Sequence, residues 1–369
     1  MTKSMFQPTR VLVEQDAFSY PYTEEILQRL PAAEVVTIGH PDQELFHELD
    51  FSPAKTLLLM VHRGKFFKPC PGTAENYRCC LYQILHLGLG CSIGCSYCVL
   101  QGYLNNPFIT QFVNLDDALR ELDEVFSSHP DSFFRIGTGE FTDSLFMDPL
   151  TRLSAKLVPY FARQTHAVLE LKTKSVAVDN LLQLEGEVGE TIVSWSLNAP
   201  SVVAREELGA PSLKQRLAAA ARCRQRGYRI GLHFDPLVFF PGWQQEYRET
   251  VRLIFDYLAP DDIIWISLGA FRYLPPMKEA IKEQHPESSI IYQEFVRGLD
   301  GKMRYFSGIR RAMYRHLVAE IRQHAPDVFL YFCMEHERLW LDVFGYAPTD
   351  NQQLSLWLDR CCHRYPAQK

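Results

Sequence analysis

No segment of this 369-residue chain is apolar across the roughly 18 positions that a membrane-spanning helix needs. The longest apolar runs, such as the one from Thr56 to Val61, have the length of a strand. The opening residues, Met1 to Pro8, lack the apolar core of a secretory leader. These absences predict a cytoplasmic protein with no membrane partner, where thiols stay reduced. The ten cysteines then read as metal ligands or buried thiols and not as a disulfide framework. An excess of positive charge is missing too. The formal charge of −6 gives no global attraction to nucleic acid, so any polyanion contact has to be local. There is no low-complexity segment, solenoid repeat or Gly/Ser linker, which leaves one large α/β barrel or two ordinary domains.

Three of the cysteines stand in one short loop, Cys91-Ser92-Ile93-Gly94-Cys95-Ser96-Tyr97-Cys98, spaced C-x3-C-x2-C. A closed zinc site or an ordinary 4Fe-4S cluster uses about four protein ligands. Three local thiolates leave one iron of a 4Fe-4S cluster without a protein ligand, and that open position holds a small molecule. Adenosyl-radical chemistry needs this arrangement, with S-adenosylmethionine (SAM) chelating the free iron and being reductively cleaved to a 5′-deoxyadenosyl radical. The alternative is a zinc loop completed by a distant Cys or His, with twelve histidines available.

From residue 81 onward, strand-like and helix-like segments alternate. The pattern predicts strands over 81–89, 133–137, 167–173, 191–197, 228–234 and 263–268. Helices are expected over 115–126 with Asn114 as N-cap, 149–164, 178–184, 245–258, and 212–226 between Ser212 and Gly227. Such alternation implies a parallel sheet with right-handed crossovers, and six units make a partial (β/α)6 TIM-like barrel; a conventional eight-stranded barrel is the runner-up. Several strands carry polar residues on one parity: Glu170, Lys172 and Lys174; Ser194, Ser196 and Asn198; Arg229, Gly231, His233 and Asp235. Parallel strands covered on both faces are normally apolar throughout. The polar parity therefore faces a lumen that receives a ligand, with chemistry at the C-terminal strand ends, where the cysteine loop falls. An antiparallel sheet with one solvated face is the plainer account of the same alternation.

Individual residues carry paired readings. Tyr97 covers an adenine, stands near a radical, or packs the loop. Glu140 follows the second strand in Gly137-Thr138-Gly139-Glu140, at a depth that suits the ammonium of a bound methionine moiety. Lys172 and Lys174 pair with Glu170 or reach an anionic group in the cavity; Ser196 and Asn198 suit ribose or carboxylate hydrogen bonds. His233 and Asp235 are substrate contacts or a satisfied buried pair, and Arg272 lies just beyond a strand end. Cys70, Cys79, Cys80 and Cys333 either hold a second cluster or a zinc ion or are buried thiols. Lys302, Arg304, Arg310, Arg311 and Arg315 interleave with Tyr305, Phe306 and Tyr314, which suits a nucleic-acid backbone and its bases or else a solvated basic helix face.

With these residues in view, the chain resembles the spore photoproduct lyase family of the radical SAM superfamily, from about residue 81 to 314 and more weakly before it. The resemblance rests on the cysteine triad with Leu100-Gln101, on Arg135 through Asp143, and on Thr173-Lys174 with Val178-Asp179. Ser196 to Asn198, Gly242-Trp243 with Tyr247, and Arg304-Tyr305 extend it. It implies a lyase that uses the adenosyl radical to repair a thymine lesion in DNA. It also implies Cys91, Cys95 and Cys98 as cluster ligands and Lys174, Ser196 and Asn198 as SAM contacts. Two positions depart from the family pattern. Glu140 and Phe141 stand where the family keeps its hydrogen-donor cysteine, and Val99 stands where it has a tyrosine. Gly139-Glu140 instead looks like the Gly-Glu element by which many other superfamily members hold the methionine amine.

The resulting expectation is a 4Fe-4S, SAM-dependent enzyme with Tyr97 and Glu140 as catalytic candidates and Glu140, Lys174, Ser196 and Asn198 holding the cofactor. His233, Asp235, Arg272, Arg304 and Tyr305 are the candidate substrate contacts. Expected partners are damaged DNA and an external electron donor such as flavodoxin or ferredoxin. Radical chemistry on RNA, a nucleotide or another small molecule is the alternative, and a zinc-stabilised nucleic-acid-binding module is the second. The expected layout is an N-terminal extension over 1–80, the barrel over 81–275 and a C-terminal extension over 276–369.

Overall fold

The computed structural model of the chain describes residues 6–41, 52–72 and 76–364. Met1 to Met5, part of the segment on which the leader expectation rests, lie outside them. The N-terminal half supplies β1 (Arg10–Glu14), β2 (Glu34–Ile38), β3 (Thr56–Met60), β4 (Phe67–Pro69), β5 (Gln83–Leu85), β6 (Gly88–Leu89) and β7 (Ile109–Phe112). Five of these form one sheet in the order β2-β1-β3-β7-β6, parallel except for β6 on β7. The sheet therefore joins strands from both sides of residue 80.

The barrel continues with β8 (Phe134–Gly137), β9 (Ala167–Thr173), β10 (Ile192–Ser196), β11 (Arg229–Leu237) and β12 (Ile263–Ala270). Then come β13 (Arg272–Tyr273), β14 (Phe295–Arg297), β15 (Met303–Tyr305) and β16 (Leu330–Phe332). The second sheet runs β16-β12-β11-β10-β9-β8-β5-β4, eight strands of which only the β4–β5 pair is antiparallel. The six expected strands are there in the expected parallel order. The sheet is open, as a partial (β/α)6 barrel requires, and β16 and β4 add one strand at each edge beyond the expected set.

The apolar parity packs outward. Leu171, Val193, Trp195, Ile230, Leu232, Phe234, Ile266 and Leu268 are almost fully buried in the main core, and helix Leu213–Arg226 lies against β10 and β11. That helix starts with a reciprocal Ser212–Gln215 capping box and stops at Gly227, whose φ of 109° belongs to the left-handed region. Asn114 sits at its expected N-cap position, but its carboxamide pairs with the His62 backbone at 2.9 and 3.0 Å instead of capping.

Two expected elements are divided. The strand over 81–89 breaks into β5 and β6, which belong to different sheets, and Gly88 lies so close to the Thr110 carbonyl that a Cβ would stand 2.6 Å from it. The helix over 149–164 breaks at Arg152, where Asp148 accepts hydrogen bonds from the Ser154 amide and hydroxyl at 2.8 and 2.7 Å and restarts the helix.

The C-terminal helix Asn351–Arg364 closes the barrel floor. Arg135 of β8 donates to Asp359 and Ser355, and Arg229 of β11 to the Cys362 carbonyl. Among the described residues, no helix is long and apolar enough to cross a membrane. On the lumen side, Gly137 admits the Tyr82 ring, because a Cβ there would stand 1.4 Å from the Tyr82 hydroxyl. Gly137→Ala is therefore expected to lower stability by about 2 kcal/mol in a urea titration, with an unchanged midpoint contradicting this packing.

Candidate active site

The cysteine loop follows β6, and a short segment from another part of the chain fastens it. The Ser96 amide donates to the Glu206 carbonyl at 2.8 Å and the Gly209 amide to the Ile93 carbonyl at 2.7 Å. The Ser96 hydroxyl donates to the Glu206 carboxylate, which also accepts from Ser288 at 2.6 Å. Gln101 binds the Ser96 carbonyl at 2.9 Å from the other side. Below the loop, Glu207 accepts from both the Tyr97 hydroxyl and the Arg216 guanidinium. Arg216 then reaches the Ser196 and Pro211 carbonyls, each at 2.9 Å. Glu207 and Arg216 are only 1% and 0% exposed, so this is a dry ion pair. Burial would raise the Glu207 carboxyl, but Arg216, and Lys174 beyond it, outweigh that and hold it below the ordinary carboxylate range.

Cys91, Cys95 and Cys98 line one wall of a cavity of about 320 Å³ at the C-terminal ends of the strands. Burial pushes the Cys95 thiol up to about 12 and raises Cys91 and Cys98 as well. Each is thus a neutral thiol until a cationic metal centre displaces its proton. Lys174 is the cation that opposes the rise at Cys95 and Cys98, and its ammonium lies 5.7 Å from the centroid of the Tyr97 ring. Asp143 fixes this end by accepting from the Thr173 hydroxyl at 2.6 Å and the Lys174 amide at 2.7 Å.

The other end is ionic. Glu170 accepts from Ser194 at 2.5 Å and pairs with His233 at 2.8 Å; burial pushes its carboxyl up, yet His233 brings it down to about 2. Asp235 is held in a fork by Arg272 at 3.2 and 3.3 Å, and Arg272 also meets the Cys333 sulfur at 3.4 Å. Burial disfavours the Lys172 ammonium, but Glu140 and then Glu170 more than offset this and raise its pKa. Glu140 itself lines the cavity, as do Ser196, His233, Asp235 and Arg272.

Three sequence candidates are placed elsewhere. Asn198 is 1% exposed, accepts from Tyr247 at 2.7 Å and donates to the Pro236 carbonyl at 2.9 Å, so its amide shapes the backbone behind the cavity wall. Arg304 spends its guanidinium on Asp300 and the Met334 carbonyl, and Tyr305 is fully buried beneath Phe239. The rest of the basic stretch is also paired internally: Arg310 with Glu335, Arg311 with Asp342, and Arg315 with the Asp342 carbonyl. Tyr97 faces the cavity with its ring while its hydroxyl is committed to Glu207. Cys70, Cys79, Cys80 and Cys333 all line the same cavity.

Among the described residues, no three His, Cys, Asp or Glu side chains are gathered as the ligands of a single ion would be. The donor set of the loop suits a cluster instead. Three soft thiols face one cavity, with an ammonium, a hydroxyl and a carboxylate available beside them for an amino-acid-bearing nucleoside. Sequence reasoning missed Tyr82, Ser267 and Tyr331 on the cavity wall and Glu207 and Arg216 behind it, whereas Lys302 of the basic stretch does line the cavity. Ser267 shares the polar parity of its neighbours and pairs in register with His233 and Tyr331. The Glu207–Arg216 pair has no comparable sequence signal.

Glu207→Gln leaves Arg216 buried without its counter-charge, and about 3 to 5 kcal/mol of stability should be lost in chemical denaturation. Because the folded Glu207 titrates below its unfolded value near 4.3, the stabilisation is complete above that pH and drains away as pH falls through the folded value. The acid limb of the stability curve should be shallower in the variant. An identical limb would contradict the assigned ion pair.

Comparison with known proteins agrees with this architecture. The sequence profile of the family "Spore photoproduct lyase" matches residues 6–329. A spore photoproduct lyase of Geobacillus sp. (strain Y412MC61) is 26% identical over 300 residues, spanning 78% of this chain and 86% of that protein. One of Clostridium acetobutylicum is 24% identical over 297 residues, spanning 78% and 85%. Among solved structures, spore photoproduct lyase complexed with dinucleoside spore photoproduct superposes with a TM-score of 0.78 at 24% identity, over 89% of this chain and 100% of that one. A variant with bound AdoMet and dinucleoside spore photoproduct gives 0.77 at 23%, with the same coverage. The structural likeness establishes the fold, and the profile match over most of the chain establishes the lineage: the chain belongs to the spore photoproduct lyase family, within the radical SAM superfamily.

Proposed function

We propose that this protein is a radical SAM enzyme that repairs a pyrimidine photolesion in DNA. One observation carries the reading: the three thiols of a single loop share a cavity with Lys174, Ser196 and Glu140 at the C-terminal mouth of the barrel. In this reading Cys91, Cys95 and Cys98 ligate a 4Fe-4S cluster. Lys174 and Ser196 contact the nucleoside and carboxylate of SAM, and Glu140 takes its amine. When bound, the cluster and SAM supply a carbon-centred radical able to abstract a hydrogen atom. Tyr97 holds the loop in place and covers the cofactor side of the cavity. His233, Asp235 and Arg272 form the wall that meets the substrate. Residues 276–369 act as a C-terminal extension, of which Lys302 and Cys333 reach the cavity. The lesion assignment draws support from the relatives, which bear the name of the lyase, and from a relative solved with the dinucleoside lesion. An external one-electron donor of the flavodoxin or ferredoxin kind is needed for reductive cleavage.

A second reading keeps the radical and changes the substrate to a nucleotide or another small molecule. Its support is the ionic end of the cavity, where Glu140, Lys172, Asp235 and Arg272 line the space that a substrate has to share.

Anaerobic reconstitution should give broad absorbance near about 400 nm, about four irons per chain and 5′-deoxyadenosine on reduction with SAM. Cys95→Ala should abolish that release, and a colourless protein holding stoichiometric zinc would contradict the proposal. An oligonucleotide carrying the spore photoproduct should revert to thymines. Active SAM cleavage without reversal would favour the second reading.

A further inference from the structure

A substrate that loses a hydrogen atom to a radical must regain one before a closed-shell product can leave. A thiol gives up its hydrogen atom to a carbon radical rapidly, which aliphatic C–H and alcohol O–H bonds do not. Cys91, Cys95 and Cys98 are committed to the cluster in the reading above. The other thiols on the cavity wall are those of Cys70, Cys79, Cys80 and Cys333. The first three come from the segment that leads into β5, whereas Cys333 stands on the far side, on the wall shared with Asp235 and Arg272.

The backbone fixes where this thiol stands. The Cys333 amide donates to the Leu268 carbonyl at 2.9 Å, which extends the β12–β16 ladder past its last pair and sets Cys333 beside Gly269. Gly269 leaves a gap in the wall. A Cβ there would lie 2.7 Å from the Asp235 carboxylate and 3.0 Å from the Arg272 guanidinium. Arg272 fills the gap and grips Asp235 at 3.2 and 3.3 Å. Its Nη2, one of the two nitrogens on Asp235, also donates to the Cys333 sulfur at 3.4 Å. The sulfur is thus held by a side chain that is itself clamped, while Cys333 stays only partly buried and open to the cavity. Burial and then the Asp235 carboxylate disfavour the thiolate, so the hydrogen stays on sulfur.

Resting on the DNA-lesion reading above, we infer that Cys333 is the hydrogen-atom donor that closes the reaction. The lesion gives one hydrogen atom to the initiating radical, the bond that makes the lesion breaks, and one thymine is left as a carbon radical. The Cys333 S–H bond then breaks, a C–H bond forms on that thymine, and the unpaired electron passes to sulfur. One electron from the external one-electron donor and one proton from water restore the thiol. Asp235 and Arg272 are positioning residues in this step, since they hold the sulfur on the wall that the substrate meets.

Two measurements on the full-length, reconstituted protein test this. The first follows repair of an oligonucleotide carrying the spore photoproduct in deuterated water, where thiols exchange hydrogen for deuterium. Wild type should place a deuterium in each thymine pair that it restores. Cys333→Ser should still release 5′-deoxyadenosine but give at least about tenfold less deuterated thymine. Wild-type deuterium content in the variant, or no deuterium in wild type, would overturn the inference. Loss of 5′-deoxyadenosine along with repair would also overturn it, because that is the mark of a structural role. Where wild type cleaves SAM but reverses no lesion, the DNA-lesion reading falls, and deuterium in the released 5′-deoxyadenosine becomes the readout. Deuterium present in wild type and lost in Cys333→Ser supports the donor, and equal content in both overturns it. The second measurement needs neither SAM nor a lesion. N-ethylmaleimide, with modified peptides read by mass spectrometry, should label Cys333 well before Cys223, which is 0% exposed. A Cys333 as slow as Cys223 overturns the inference whatever the substrate.

Discussion

Glu207 is the residue through which the site is held together. It accepts from the loop at Tyr97 and from the barrel at Arg216, while Arg216 holds the carbonyl of Ser196 at the end of β10. A buried carboxylate or guanidinium is costly alone, but each is stabilised by the other, with the Tyr97 hydroxyl on Glu207 and two carbonyls on Arg216. The consequence is geometric. The loop that carries three thiols is tied to the strand that carries Ser196, so any group bound by the thiols has a fixed distance to the cavity wall.

The lumen follows a second constraint. Its side chains are polar, yet few are wet, so each buried charge needs a partner built into the sheet. Register supplies them: Ser196, His233, Ser267 and Tyr331 stand side by side on neighbouring strands, and Glu170 is satisfied by Ser194 and His233. The outward parity stays apolar and supports the helices. One alternation in the sequence thereby produces both the core and the cavity.

Much of this was legible in the chain. The spacing of Cys91, Cys95 and Cys98 names a chemistry, and the alternation in 167–173 and 228–234 correctly places Glu170, Lys172, His233 and Asp235 in one cavity. What escaped depends on long-range geometry. The 81–89 run reads as one strand in spite of Gln83 and His86, yet β5 and β6 join different sheets, with Gly88 packed against the Thr110 carbonyl. Asn198 continues the polar parity of β10, but the chain has left the strand there and the amide turns to Tyr247. The basic stretch at 302–315 looks free in sequence because two of its acidic partners, Glu335 and Asp342, lie well downstream. Asp300, four residues before Arg304, was the one visible clue. The open position left by Glu140 and Val99 is equally a matter of site geometry, since neither residue alone says where a hydrogen atom comes from.

The central claim is that the thiol loop and the polar strand ends serve one bound assembly. Electron paramagnetic resonance of the reconstituted, reduced protein tests it directly. The account predicts the signal of a reduced 4Fe-4S cluster that changes shape when SAM is added, because SAM occupies the iron that the three cysteines leave open. A cluster signal indifferent to SAM, or no cluster at all in the wild-type chain, would contradict it.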